Sequence, residues 1–205
     1  MYAIAVNGSP RKGGNTEFML QEVLGQLDKA GWKTEMVKVG GTTIRGCIAC
    51  NKCFETQDNS CIQKKDKFNE IFLKMVEADA IILGSPTYFA AVASDLKSLI
   101  DRSGYVAYAN NHAFAGKIGA AVVAVRRGGA IHAYDSINHM FQMSQMIIPC
   151  STYWNFCFGL EKGEAVNDAE GVANMRHLGR AIDWLARAIK PKLAEYPRST
   201  DNFEE

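Results

Sequence analysis

The residues with the clearest chemical potential are four cysteines packed into one short segment, CIACNKCFETQDNSC. They are Cys47, Cys50, Cys53 and Cys61. The chain opens with MYAIAVNGSP, which lacks the basic segment and the length of a signal peptide, so we expect a cytoplasmic protein. Thiols stay reduced in that compartment. The segment therefore indicates metal or redox chemistry before structural disulfides.

A second chemical feature is the glycine-rich stretch NGSPRKGGNT, which follows the apolar run Tyr2–Val6 and precedes a helical pattern. A loop in that position presents free main-chain N–H groups and the positive end of a helix dipole, and both suit a phosphate. Gly13 and Gly14 let a ligand approach the main chain closely, and Arg11 adds positive charge. The short side chains able to donate hydrogen bonds are Ser9, Asn15 and Thr16.

This glycine-rich stretch matches neither of the two common phosphate-binding motifs. A P-loop requires Lys and then Ser or Thr after its second glycine, where this chain has Gly14 and Asn15. The dinucleotide fingerprint G-x-G-x-x-G is also absent from the stretch. We therefore expect a mononucleotide phosphate that is bound without a metal ion. The alternative is a glycine-rich turn that caps a helix and binds nothing.

Two further loops are expected at the same edge of the sheet. In the stretch SPTYF, Pro86 stiffens the turn, while Tyr88 and Phe89 offer flat apolar surface to an aromatic ring. The alternative for these two aromatics is that they cover the core. The stretch RRGG at 126–129 supplies arginines that can stabilise negative charge on a reduced ring, and glycines whose N–H groups can meet ring carbonyls.

These loops depend on an alternation of apolar runs and helical patterns. Short, largely apolar runs predict the strands of a parallel sheet, and apolar residues repeated every three or four positions predict covering helices. Asp66 and Asp168 are placed to cap two of the helices. The predicted strands are Tyr2–Val6, Glu35–Val39, Ala80–Gly84, Ile118–Val125 and Met146–Ile148. We therefore predict one doubly wound α/β domain of five parallel strands, with helices on both faces.

The predicted domain spans residues 1–190, with a cysteine-rich insertion at about 44–64 and a polar tail over 191–205. Lys and Arg total 23 and Asp and Glu total 22, a balance that argues against nucleic-acid binding. The longest apolar run is too short to cross a membrane. Cys150 and Cys157 stand apart from the segment, and we expect both to be small core residues.

Taken together, the three loops resemble those of the flavodoxin-like NAD(P)H-dependent FMN reductase family. This resemblance implies the strand order 2-1-3-4-5. The resemblance rests on NGSPRKGGNT, SPTYFAAVASDLKSLIDR and RRGG, and it covers nearly all of residues 1 to about 190. It implies that the first loop holds the FMN phosphate, the second lies along the isoalloxazine ring and the third contacts the polar edge of the ring. The residues implied to bind FMN are Ser9, Arg11, Gly14, Asn15, Thr16, Pro86, Thr87, Tyr88, Phe89, Arg126, Arg127, Gly128 and Gly129.

The cysteine spacing resembles the compact motif of the iron-sulfur flavoprotein branch of that family, which implies a [4Fe-4S] cluster beside FMN. The implied ligands are Cys47, Cys50, Cys53 and Cys61. Two-residue gaps let successive thiolates reach neighbouring corners of a cluster, and the longer gap lets the chain return with its fourth thiolate. Three alternatives stay open: a structural zinc ion, vacant or oxidised thiols, and a redox disulfide.

The resemblance implies an oxidoreductase that passes electrons through FMN without a catalytic side chain. The implied donor is NAD(P)H or a ferredoxin-like carrier, and the acceptor is a flavin, a quinone or another molecule. The alternative is a flavin-binding electron carrier without its own NAD(P)H turnover. Relatives of this kind are homodimers or homotetramers. Candidate interface aromatics, for which core packing is an equal explanation, are Tyr105, Tyr108, Tyr153 and Trp154.

Overall fold

Residues 1–198, which a computed structural model describes, form alternating strands and helices. The strands are β1 (Tyr2–Asn7), β2 (Lys33–Lys38), β3 (Ala80–Pro86), β4 (Ile118–Val125) and β5 (Phe156–Phe158). The helices are α1 (Asn15–Lys29), α2 (Lys52–Thr56), α3 (Phe68–Glu77), α4 (Ser94–Ala109), α5 (Ala130–Met143) and α6 (Ala169–Ile189). Two 3-10 helices cover Glu164–Asn167 and Lys190–Glu195.

The strands form one parallel sheet in the order β2-β1-β3-β4-β5, which confirms the predicted topology. The chain moves outward from β1 to β2 and then crosses to the other side of β1 with β3. The topological switch point therefore lies between β1 and β3, where the carboxyl ends of the two strands bound a crevice. The loops that follow β1, β3 and β4 all open onto this edge.

The prediction that Met146–Ile148 forms the fifth strand is wrong. Only Ile147 pairs with β4: its N–H donates to the Lys117 carbonyl (2.8 Å), and the Gly119 N–H donates to its carbonyl (3.0 Å). The edge strand is β5, which pairs with the carboxyl half of β4. Between these two contacts, the Asn155 side-chain amide donates to a β4 carbonyl (3.0 Å). Two short segments therefore share the edge of the eight-residue strand β4.

Helices cover both faces of the sheet, as predicted. In β1, Ala3 and Ala5 face the layer of α1 and α6, whereas Ile4 and Val6 face the layer of α3, α4 and α5. All four side chains are fully buried. Full burial of Ile4 and Val6 contributes about 1.5–3 kcal/mol each, whereas the methyl groups of Ala3 and Ala5 contribute less and let α1 and α6 pack closely on the strand.

The two isolated cysteines lie in different environments. Cys157 in β5 is fully buried, as predicted, and this burial raises its pKa to about 12. Cys150 is exposed, so the prediction that it is a core residue is wrong. It lies in the irregular segment that leaves the sheet after Ile147, where the apolar run of the sequence no longer reflects a strand.

The predicted polar tail over 191–205 begins in contact with the domain. The 3-10 helix Lys190–Glu195 follows α6, and the Tyr196 hydroxyl donates to the Gln145 carbonyl (2.8 Å). The last part of the predicted tail, 199–205, lies outside the described residues. Within residues 1–198, no helix combines the length and the apolar character that crossing a membrane requires.

Candidate functional site

Three loops meet at the carboxyl edge of the sheet, as the sequence predicted. They cover 8–14 after β1, 87–93 after β3 and 126–129 after β4. Main-chain hydrogen bonds fix the first two loops to the neighbouring strands, because the Gly8 N–H donates to the Gly84 carbonyl (2.8 Å) and the Thr87 N–H donates to the Ala124 carbonyl (2.9 Å). The strand ends therefore hold these loops side by side.

The chain that leaves β2 packs directly against the first loop. A Cβ atom at Gly40 would lie 2.2 Å from the Ser9 carbonyl carbon and 2.4 Å from the Gly8 carbonyl oxygen, so only glycine fits there. One residue later, the Gly41 N–H donates to Asp95 Oδ2 (2.8 Å) at the start of α4. The chain is thus fixed to both the first loop and α4 before it reaches the cysteines.

The first loop ends at the start of α1, where helix N–H groups are free. Gly14 stands at the N-cap position and supplies no side-chain cap. The main-chain N–H groups of Gly14, Asn15 and Thr16 make no hydrogen bond within residues 1–198. Gly13 has a φ of +61°, a left-handed conformation that favours glycine and turns the chain into the helix. Three main-chain donors are therefore unused at this end of the loop.

Other N–H groups of the first loop are already bonded within the protein. The Arg11 N–H donates to Oγ of the buried Ser9 (3.3 Å), and the Gly13 N–H donates to Glu17 Oε2 (2.8 Å). The Arg11 guanidinium donates to the Leu160 carbonyl (2.9 Å) on the rim of the site. The free donors therefore lie at the helix end rather than along the whole loop.

The Asn15 side chain holds a neighbouring loop in place. Its Nδ2 donates to the Glu161 carbonyl (2.9 Å), and its Oδ1 accepts from the N–H groups of Gly163 (2.9 Å) and Ala165 (3.2 Å). Asn15 can therefore meet a phosphate through its main chain, while its side chain secures the loop that follows β5.

That secured loop places a cation beside the glycine-rich stretch. Lys162 Cε lies 3.1 Å from the position that a Cβ at Gly13 would occupy, and Lys162 Nζ lies 3.4 Å from it. Sequence reasoning missed Lys162, because it comes from the far end of the chain and only the fold brings it to this edge. No local signal in its surroundings, LEKGE, distinguishes it from an ordinary surface lysine.

The second loop carries two neighbouring residues in an unfavourable main-chain conformation. Phe89 and Ala90 have φ values of 46° and 68°, and Tyr88 and Ala91 pair on either side of them to close a tight turn. Positive φ at two non-glycine residues stores strain of the kind that clusters at functional sites. The turn leaves Tyr88 exposed and the Phe89 ring wholly exposed, which rules out the alternative that they cover the core.

One polar atom of the second loop is buried without a partner. Thr87 Oγ1 is inaccessible to solvent and makes no hydrogen bond within the described chain. An unpaired buried hydroxyl costs about 1–3 kcal/mol, so it is expected only where a ligand or water pairs with it. Pro86 precedes it at the end of β3. Thr87 therefore carries a buried hydroxyl whose hydrogen-bond partner is missing from the described chain.

The third loop lies in contact with the second. Gly129 has a φ of +86° and stands at the N-cap position of α5, and its Cβ position lies 3.2 Å from Thr87 Cγ2 and 3.3 Å from the Ala90 Cα. Arg126, Arg127 and Gly128 are exposed beside it. The three loops thus form a continuous rim of main-chain donors, aromatic surface and positive charge.

The four cysteines of the segment line one small cavity against α4. They are Cys47, Cys50, Cys53 and Cys61. Left-handed conformations at Ala49 (φ 50°) and Asn51 (φ 56°) fold the chain back between successive cysteines, and the short helix α2 carries the third. The Ala49 N–H donates to Cys47 Sγ (3.4 Å). The spacing seen in the sequence therefore does bring the four thiols around one space.

One thiol of this cavity is held in its neutral form. Burial raises the pKa of the Cys53 thiol, and negative charge on Cys61 or Cys47 would raise it further. A positive charge nearby would favour the Cys53 thiolate. No three His, Cys, Asp or Glu side chains within residues 1–198 are arranged to hold a single metal ion.

A doubly wound parallel sheet with an uncapped helix start at its switch point defines a flavodoxin-like protein. The model of the NADPH-dependent FMN reductase family matches residues 1–161, and the chain belongs to this family. An iron-sulfur flavoprotein of Methanocaldococcus jannaschii is 34% identical over 197 residues, which cover 93% of this chain and 100% of the relative. An iron-sulfur flavoprotein of Archaeoglobus fulgidus is 32% identical over 100% of both chains.

Solved structures show the same fold at low sequence identity. RosB with bound 8-demethyl-8-formylriboflavin-5′-phosphate has a TM-score of 0.72 at 14% identity, covering 94% of this chain and 81% of RosB. A WrbA-like flavodoxin from Agrobacterium tumefaciens has a TM-score of 0.65 at 14% identity, covering 91% of this chain and 98% of the flavodoxin. At such identities the likeness shows the fold alone, so the chemistry has to be argued from the residues.

Proposed function

We propose that this chain is an oxidoreductase that uses FMN bound in the crevice formed by the three loops. Electrons pass from NAD(P)H or a reduced carrier protein to a flavin, a quinone or another acceptor. The observation that carries the proposal is the uncapped start of α1 at the switch point, where three main-chain N–H groups have no partner within the described chain. A phosphate is the ligand group that this arrangement suits.

The residues present fit FMN along the whole rim. The N–H groups of Gly14, Asn15 and Thr16 would bind the phosphate, with Arg11 and Lys162 adding positive charge. The unpaired Thr87 hydroxyl would bond to the flavin, which removes the cost of its burial. The residues that would flank the ring are Pro86, Tyr88, Phe89, Arg126, Arg127, Gly128 and Gly129.

The chemistry belongs to the cofactor, and the chain's residues position it. FMN, when bound, would accept a hydride and release electrons one at a time. The exposed guanidinium groups of Arg126 and Arg127 would stabilise negative charge that develops on the ring. The strained turn at Phe89 and Ala90 would hold an aromatic surface at the crevice. Within this scheme no side chain has to act as a nucleophile or a general acid.

We further propose that the four cysteines bind a [4Fe-4S] cluster, which would supply one-electron transfer. Two observations support a cluster. The four cysteines line one cavity, and the relatives from Methanocaldococcus jannaschii and Archaeoglobus fulgidus are iron-sulfur flavoproteins. The Ala49 N–H, which donates to Cys47 Sγ, would also donate to a thiolate that is bound to the cluster.

We also propose that the protein is a homodimer or homotetramer. The four candidate interface aromatics are all exposed, so they do not pack in the core. They are Tyr105, Tyr108, Tyr153 and Trp154. Large exposed aromatics of this kind are enriched at protein interfaces. Light scattering coupled to size exclusion is expected to give two or four times the chain mass, and a monomer at micromolar concentration would contradict this proposal.

Anaerobic purification followed by an absorption spectrum and by iron and sulfide analysis tests both cofactors. We expect flavin bands together with four iron and four sulfide per chain. Turnover assays with NADH, NADPH and a reduced ferredoxin then separate the donors. Oxidation of NAD(P)H supports the reductase, whereas reduction by the protein donor alone supports the electron carrier. A colourless protein that takes up no FMN would overturn the proposed function.

A further inference from the structure

Helix α4 carries an arginine on its buried face. Leu99, Arg102 and Val106 follow one another at helical spacing, and Leu99 and Val106 lie in the core. Arg102 is 1% exposed and is the largest fully buried side chain of the described chain. A guanidinium keeps its proton at any ordinary pH, so its burial needs partners that compensate the charge. This charge lies at the wall of the cysteine cavity, which Arg102 lines.

The Arg102 guanidinium ties together the two ends of the cysteine segment. Its Nη1 donates to the carbonyl of Arg45 (3.2 Å), and its Nη2 donates to the carbonyl of Gln63 (3.0 Å). Arg45 lies just before the first cysteine of the segment and Gln63 just after the last. One planar side chain therefore fixes both ends of the loop that presents the four thiols. A lysine could not span both carbonyls in this way.

Asp66 completes this clamp. Its Oδ2 accepts from Arg102 Nη1 (2.6 Å) and from the Arg45 N–H (3.0 Å), and its Oδ1 accepts from the Phe68 N–H (3.1 Å). Burial by itself would raise the pKa of Asp66, but these hydrogen bonds outweigh it and hold that pKa below its ordinary value. The pair is therefore ionised. Arg102 lines the cavity and Asp66 does not, so the positive charge of the pair lies nearer to the sulfurs than the negative charge.

One donor of Arg102 is left without a partner. Its Nε is buried and makes no hydrogen bond in the described part of the chain. The guanidinium also stacks on the Phe68 ring, with 4.0 Å between Cζ and the ring centroid, so it is held in place from its face as well as from its edge. A fixed cation with one unused N–H, at the wall of a cavity lined by four thiols, points to an anionic sulfur site.

We propose that Arg102 is the positioning and charge-compensating residue of the four-cysteine site. Its Nη groups fix the ends of the segment, its unused Nε–H is available to a sulfur atom, and its charge offsets that of the thiolates. The inference rests on the proposed cluster. Because reduction adds negative charge to the site, a nearby cation favours the reduced state and raises the reduction potential.

The test compares wild-type protein with the variants R102Q, R102K and D66N, all prepared anaerobically. The matched control is R176Q, which removes an arginine from an exposed ion pair with Glu22 on the other face of the sheet. A redox titration followed by electron paramagnetic resonance gives the cluster potential, and a chelator assay gives the rate of iron release. Circular dichroism and the midpoint of urea unfolding report whether each variant is folded.

We expect R102Q to lower the cluster potential and D66N to raise it, because the two substitutions remove charges of opposite sign. In R102Q and R102K, iron release should be about tenfold faster or more, as is typical when a group supporting metal ligands is lost. R102K should stay nearer to the wild-type potential than R102Q, because it keeps the charge. If the Arg102–Asp66 salt bridge had a purely structural role, R102Q and D66N would shift the cluster potential in the same direction.

Shifts of the same sign in R102Q and D66N, or iron release no faster than in R176Q, overturn the role of Arg102. If R102Q does not fold, R102K and D66N decide the question through the same two measurements. Wild-type protein that takes up no iron and sulfide rejects the cluster itself, and the role of Arg102 with it. A loaded wild type with unaffected variants rejects the role of Arg102 alone.

Discussion

Replacing Gly40 with alanine is expected to disturb the first loop from the β2 side. The new Cβ would lie 2.2 Å from the Ser9 carbonyl carbon and 2.4 Å from the Gly8 carbonyl oxygen. Favourable carbon contacts are about 3.5–4.0 Å long, so one of the two chain segments has to move by roughly 1 Å or more. Both are main chain, and therefore no side-chain rotation relieves the overlap.

Overpacking of this kind costs about 1–3 kcal/mol. At about 2–4 °C per kcal/mol for a domain of this size, the midpoint of thermal unfolding should fall by roughly 2–12 °C. The matched control is G25A, because a Cβ at Gly25 in the middle of α1 meets nothing within 4 Å. There the same substitution should stabilise the protein by about 0.5–1 kcal/mol, since alanine loses less main-chain freedom in a helix.

The assays are thermal and urea unfolding of FMN-free protein, followed by FMN titration of the folded variants. G40A should unfold at lower urea and bind FMN more weakly, because the shift displaces the Gly8–Ser9 main chain that leads to the phosphate position. G25A should bind FMN as the wild type does. If G40A matches G25A in both stability and FMN affinity, the close approach of the β2 loop to the first loop does not support the site.

Three further predictions concern single side chains. C61S should lose stoichiometric iron and keep its flavin. C150S changes an exposed cysteine outside the segment and should keep both iron and flavin, so equal iron in the two variants would contradict the ligand assignment. K162Q should weaken FMN binding by up to about fivefold, as expected for the loss of an exposed ion pair, and leave the affinity for riboflavin unchanged. An equal loss of both affinities would show that Lys162 does not act on the phosphate. At pH 8 a thiol reagent should label Cys150 but leave Cys157 unmodified until the protein unfolds, because burial raises the pKa of Cys157 to about 12. Mass spectrometry of the labelled native protein measures this, and rapid labelling of Cys157 would refute it.

The strands β1 to β4 and the three loops were predictable because they follow from strongly local signals. Fully apolar runs such as Ile118–Val125 are typical of strands buried on both faces, and the structure buries all eight residues of that run. The fifth strand was misplaced because Met146–Ile148 is the more apolar run and does touch β4 through Ile147. The true edge strand, β5, is only three residues long, too short for any periodicity to mark it.

The supporting residues could not be read from the sequence, because they act across long chain separations. Lys162 reaches the first loop only because the Asn15 side chain holds the loop after β5 in place. Arg102 did leave a trace, since it is a charged residue at a core position of an apolar helical stripe between Leu99 and Val106. Its partners lie on either side of the cysteine segment and just before α3, and only the fold shows that they meet.

The most direct test of the central claim is a titration of the FMN-free protein with FMN and with riboflavin. If free N–H groups at the start of α1 bind the phosphate, at least two charge-assisted hydrogen bonds of about 1.5–3 kcal/mol each are lost with riboflavin. A total of about 3 kcal/mol or more corresponds to a dissociation constant at least about 100-fold higher for riboflavin. Equal affinities for the two flavins, or no binding of FMN, would contradict the account.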